Sequence, residues 1–122
     1  MREFIIIGLG GFIGAIFRYI ISSYMPVKFG IPTGTLTVNL IGSFIIGFIM
    51  YSTLVIDIPP VYRMFIITGF CGALTTFSTF SYETFSLLER GDIILSILNI
   101  VLNVIGCLIM VYLGRALSIL IF

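Results

Sequence analysis

Long apolar stretches alternate along this chain with short clusters of charge, proline and glycine. The apolar runs cover residues 4–22, 35–56, 62–88 and 93–119, each close to the ~20 residues with which a helix crosses the hydrocarbon of a bilayer. Pro26, Lys28, Gly30 and Pro32 separate the first two runs, Asp57, Pro59 and Pro60 the next two, and Glu89, Arg90, Gly91 and Asp92 the last two. Such residues mark turns. The pattern predicts an all-α membrane protein of four transmembrane helices. Its short loops make successive helices antiparallel and leave both termini on one side of the membrane.

Composition agrees with this reading and narrows it. The chain has 122 residues, of which 60% are hydrophobic and 9% charged, against roughly 25% charged in a soluble domain. Four spans and their turns use this whole length, so residues 1–122 read as a single domain. The first apolar run has no small-residue cleavage site and carries Arg18 near its end, which predicts a retained helix and not a leader. A net charge of +1, with no basic run, argues against nucleic-acid binding and against a polybasic lipid-surface segment. Cys71 and Cys107 both lie in apolar runs and there is no histidine, so neither a disulfide nor a transition-metal site is expected. No pair of nucleophile and base can be assembled, and an enzyme is not expected.

Loop lysines and arginines normally decide which way up a membrane protein inserts. Here Arg2, Arg63 and Arg115 fall on the terminal side, and Arg18, Lys28 and Arg90 on the other. Three oppose three. A chain without a preferred orientation can insert both ways, and two opposed copies can pair about an axis in the membrane plane. Four helices from one chain enclose little space, which also predicts that any pathway needs a second copy.

Several polar residues lie inside the apolar runs, and each has a structural and a functional reading. Gly10 and Gly14 form a GxxxG pair suited to close helix packing. Arg18 can snorkel to the headgroups or concentrate an anion at a pore mouth. Asn39 can bond a neighbouring helix, or its NH2 group can serve an anion as a neutral donor. Asn99, Asn103 and Cys107 share one helix face by their spacing of four, either as interhelical bonds or as a polar track. Glu83 is the one carboxylate well inside an apolar run, which by default marks function in a membrane; it can couple protons or bond nearby hydroxyls.

The third run departs furthest from a plain span. From Gly69 to Glu83 it reads Gly-Phe-Cys-Gly-Ala-Leu-Thr-Thr-Phe-Ser-Thr-Phe-Ser-Tyr-Glu. Two glycines followed by two threonines favour a helix break near the bilayer midplane. Irregular backbone at that depth is tolerated only inside protein or beside a cavity, and its freed carbonyls can coordinate a hard cation such as Na⁺. Phe77 and Phe80, three apart, share a helix face. Core packing is the ordinary role of such a pair, but ring edges are electropositive, and Ser78, Thr79 and Ser81 place hydroxyl donors beside them.

These residues resemble the Fluc or CrcB family of fluoride channels. The resemblance rests on Gly10 to Ala15 with Arg18 and Tyr19, on Gly34 to Asn39, and above all on Thr75-Thr76-Phe77-Ser78-Thr79-Phe80-Ser81. It implies a dual-topology antiparallel dimer in the cell membrane, formed by a second copy or a paralogous chain. It further implies two fluoride pores, a structural Na⁺ on the dimer axis, and passive export of fluoride that enters as HF. By position, Phe77 and Phe80 correspond to the phenylalanines that contact fluoride, and Asn39 to the asparagine that orients them and meets the ion. Gly72 and Thr75 correspond to the carbonyls that hold Na⁺. Glu83, Arg18, Thr35 and Ser81 correspond to pore or vestibule positions, and Asn103 is the fourth-helix candidate for the track. The competing expectation is a small proton-coupled multidrug exporter using Glu83, although its key glutamate belongs in the first helix, where only the terminal Glu3 occurs, and no tryptophan is present.

Overall fold

The computed structural model describes residues 1–122 and is entirely helical. Its elements are α1 (Arg2–Tyr24), α2 (Thr33–Ser52), a third span in pieces, and α6 (Ile93–Ile121). The third span comprises α3 (Pro60–Arg63), a wide-turn π-helix (Met64–Cys71), α4 (Gly72–Leu74) and, after a break, α5 (Phe77–Glu89). Four helical spans, Arg2–Tyr24, Thr33–Ser52, Pro60–Glu89 and Ile93–Ile121, are long and apolar enough to cross a membrane.

Glycines set the packing. At Gly10 an added Cβ would lie 2.3 Å from the carbonyl oxygen of Phe65, and at Gly14 2.2 Å from that of Phe70. Backbone therefore meets backbone between α1 and the π-helix, as small-residue membrane interfaces allow. α2 meets α6 in the same way: Gly47 faces the Val111 carbonyl and Gly114 the Phe44 carbonyl. Residue numbers rise together from the Gly10–Phe65 to the Gly14–Phe70 contact, and between α2 and α6 from the Asn39–Asn103 to the Ser52–Ser118 hydrogen bond. Spans one and three thus run one way and spans two and four the other, as the short loops predict.

One boundary differs from expectation. The second apolar run continues to Ile56, but its helix stops at Ser52. The Ser52 carbonyl accepts from both Val55 and Ile56, turning the chain, while the Ser52 hydroxyl bonds Ser118 on α6 at 2.9 Å. The expected break in span three is present, and it falls at the threonines. Thr75 and Thr76 are extended, with φ/ψ of −84/152° and −147/116°. Gly69 stays helical because its missing side chain admits α1: a Cβ there would lie 2.6 Å from the Ile7 carbonyl oxygen. In the first loop, Phe29 and Gly30 both take positive φ, 54° and 79°, between the paired Lys28 and Ile31, the requirement of a tight I′-type turn.

Candidate functional site

The break in span three is held by Asn39. Its Oδ1 accepts from the Thr76 N–H at 2.8 Å, and its Nδ2 donates to the Thr76 carbonyl at 3.3 Å. The side-chain amide therefore stands in for the two backbone partners that Thr76 lacks. Nδ2 also donates to Asn103 Oδ1 at 3.0 Å, so both amide hydrogens of Asn39 are engaged. Thr76 then caps α5, its hydroxyl accepting from the Thr79 N–H at 3.2 Å. A threonine N-cap is a common start signal, and Thr76, which sequence reasoning left without a role, was legible in that way.

Upstream of the break, the Thr75 N–H and hydroxyl both donate to the Cys71 carbonyl. The carbonyls of Gly72, Ala73, Leu74 and Thr75 accept no hydrogen bond within the chain. Gly72 is exposed on the surface of the single chain.

Phe77 and Phe80 lie on the first turn of α5 with ring centroids 5.5 Å apart and planes 57° apart. Phe80 is buried, at 7% exposure, whereas Phe77 is 78% exposed. Both border a groove of about 300 Å³ lined also by Asn39, Ser43, Thr75, Thr76 and Asn103, with Ile46, Val104 and Cys107 towards one end. The structure thus gathers Asn39, Thr75, Phe77, Phe80 and Asn103 around one concavity at mid-span. Ser43, Ile46 and Val104 are lining residues that sequence reasoning missed; they carry no signal beyond apolar or small character.

The other candidates sit elsewhere. Thr35 donates to Glu83 Oε1 at 2.8 Å, while Glu83 Oε2 is buried with no partner. Glu83 borders a wider vestibule at the end formed by the first and third loops, with Pro32, Ser86, Glu89, Arg90 and Asp92. Ser81 is exposed and donates back to the Phe77 carbonyl at 2.8 Å. Arg18 lines neither concavity of its own chain. On α6, Asn103 Nδ2 donates to the Asn99 carbonyl and Asn99 Nδ2 to Thr84 Oγ1, each at 3.0 Å. Asn99 thus bonds α5, and Asn103, which accepts from Asn39 of α2, also borders the groove. Cys71 and Cys107 are unpaired thiols.

Residues 5–115 match the family described as CrcB-like protein, Camphor Resistance (CrcB). The chain belongs to the CrcB-like family. Among its CrcB-like relatives, the fluoride-specific ion channel FluC of Methanococcus aeolicus is 70% identical over 118 residues, covering 97% of this chain and 96% of that protein. The FluC protein of Methanocaldococcus jannaschii is 65% identical over 122 residues, covering 100% of this chain and 98% of that one. That of Shewanella putrefaciens is 51% identical over 119 residues, with 96% of each chain covered. With its four apolar spans, this CrcB-like chain is a multi-pass membrane protein.

Proposed function

We propose that the chain is a fluoride-selective channel that lets cytoplasmic fluoride leave passively, through pores formed where two copies meet in antiparallel orientation. The observation that carries this is the name fluoride-specific ion channel on relatives up to 70% identical over nearly the whole chain. The groove supports it. Fluoride is small and strongly hydrated, so a wide cationic pore would favour larger anions, whereas many neutral donors in a narrow track repay dehydration without trapping the ion. Ring edges at Phe77 and Phe80 and the hydroxyl of Ser43 are such groups, while Asn39, Thr75 and Thr76, whose hydrogens are engaged within the chain, hold the wall of the track in place.

Assembly follows from what one chain leaves open. An apolar ring 78% exposed at mid-span gains a surrounding when a second copy supplies one. The balanced charges allow that copy to be inverted. Na⁺ fits the same interface: the unpaired carbonyls of Gly72 and Thr75 are hard oxygen donors on an exposed surface, and a cation shared between two breaks would pin them together. Thr35, Arg18, Ser81 and Glu83 act at the mouths of the pathway, where the Glu83 vestibule lies. The test is efflux from liposomes holding the purified protein, followed with a fluoride electrode against a chloride control. Fluoride release without chloride release is expected; release of neither ion, or of both alike, would overturn the proposal.

A further inference from the structure

The turn of α5 that carries Phe77 and Phe80 is tied at both ends, and the two ties belong to one hydrogen-bonded circuit. Its first end is Thr76, held by Asn39. From Asn39 the circuit passes to Asn103 Oδ1 at 3.0 Å, then from Asn103 Nδ2 to the Asn99 carbonyl at 3.0 Å and its Oδ1 at 3.3 Å. Asn99 Nδ2 donates to Thr84 Oγ1 at 3.0 Å, and that hydroxyl donates to the Phe80 carbonyl at 2.7 Å, closing on the second end of the turn. A threonine hydroxyl bonding the carbonyl four residues back is a common local arrangement. Here the same oxygen is also an acceptor for a second helix, so α6 fixes where it stands.

Every member of the circuit is buried, with Asn99 and Ser96 at 1% exposure. Ser96 Oγ adds a bond to the Thr84 carbonyl at 3.2 Å. None of Asn99, Thr84 or Ser96 borders the groove. Four polar side chains buried to this degree exceed what apolar packing of α5 on α6 requires, and their bonds converge on the segment bearing the aromatic pair.

We infer that Asn99 and Thr84 are positioning residues that fix the aim and spacing of the Phe77–Phe80 turn, and so set the discrimination of fluoride from larger anions. This rests on the channel reading given above. The interaction of an ion with a ring edge depends on direction and distance. A turn free to shift relative to Asn39 presents a wider and less electropositive gap, which relaxes selectivity before it blocks passage.

Liposomes with the full-length protein carrying Thr84→Val, Asn99→Leu, both together, or Thr84→Ser test this through the ratio of fluoride to chloride efflux. Thr84→Val keeps the shape and removes the hydroxyl; Asn99→Leu cuts the same link from α6 and serves where the valine variant does not assemble. Each single variant is expected to lower the ratio about tenfold, the scale on which supporting hydrogen bonds tune a site. The double variant should lower it no further, and Thr84→Ser should retain it. A loss of thermal stability with an unchanged ratio, or a serine variant that behaves as the valine one, overturns the inference alone. Silence of the unsubstituted protein towards fluoride overturns the channel reading, and the inference with it.

Discussion

Replacing Asn39 by alanine tests how the break in span three is held together. The substitution removes three hydrogen bonds at 2.8, 3.0 and 3.3 Å. It leaves the Thr76 N–H, the Thr76 carbonyl and Asn103 Oδ1 buried and unpaired. Each buried polar group left without a partner costs about 1–3 kcal/mol, so three amount to about 3–9 kcal/mol. Interhelical bonds in membranes run lower, near ~0.6 kcal/mol each, which still gives a floor of about 2 kcal/mol. Asn39→Asp is expected to be no milder. It keeps an acceptor for the Thr76 N–H but turns an oxygen towards two other oxygens. Asn103→Leu leaves both Thr76 bonds in place but also removes the bonds from Asn103 to Asn99. It leaves one Asn39 amide hydrogen and Asn99 Oδ1 unpaired, so by the same reckoning it should cost about 2–6 kcal/mol. Thermal inactivation of the detergent-purified protein, followed by the fraction that remains monodisperse on size exclusion, ranks the variants. Equal midpoints for Asn39→Ala and the unsubstituted protein would refute this account, as would an Asn103→Leu variant more damaged than Asn39→Ala.

Four further outcomes are expected. Gly47→Ala puts a Cβ 2.4 Å from the Val111 carbonyl oxygen and should destabilise the protein by about 1–3 kcal/mol through overpacking, whereas Gly8→Ala, with nothing within 4 Å, should leave the melting midpoint unchanged. Phe80→Ile should cut fluoride efflux while the protein remains folded and monodisperse; normal flux would count against the aromatic role. Glu83→Gln keeps a carbonyl to accept from Thr35 and replaces the unpartnered oxygen with a neutral amide, so passive fluoride efflux should persist without a proton gradient. Abolished transport there would favour proton-coupled exchange. Finally, exchanging Na⁺ for a large organic cation should lower the thermal stability of the assembled protein, measured in parallel at equal ionic strength; identical melts would count against a structural Na⁺.

The four spans were legible because hydrophobic run length and turn residues are local properties of the chain. The end of the second helix was not, since Leu54, Val55 and Ile56 are apolar yet exposed beyond the last helical turn, and hydrophobicity does not separate a helix from an apolar turn at the membrane surface. The break in span three was expected from its glycines and threonines together. Only the threonines break it, because the glycine Gly69 is used for contact with α1. Asn39 was legible as a polar residue needing partners, and its choice of Thr76 was not, because that depends on α2 and α5 running antiparallel at one register. Thr84 escaped notice for a related reason: a threonine four residues after Phe80 is unremarkable until Asn99 is found to feed it from another helix.

The distribution of satisfied and unsatisfied polar groups links these observations to assembly. In hydrocarbon, every polar group needs a partner, and, Glu83 Oε2 apart, the buried side chains between α2, α5 and α6 meet that demand among themselves. The open groups are different in kind and place. The carbonyls of residues 72–75 and the first N–H groups of α5, at Phe77 and Ser78, lie without chain partners at the break, beside the exposed Phe77 ring. Carbonyls that end one helical segment and N–H groups that begin the next bring opposite partial charges to mid-depth within a few residues. A cation suits the former and an anion the latter. One chain facing lipid would leave both exposed to hydrocarbon at a cost of several kcal/mol per group. In the assembly proposed above, an inverted second copy with Na⁺ shared at the carbonyls and fluoride passing near the aromatic turn would remove that cost, and the balanced loop charges would permit such a copy in the same membrane.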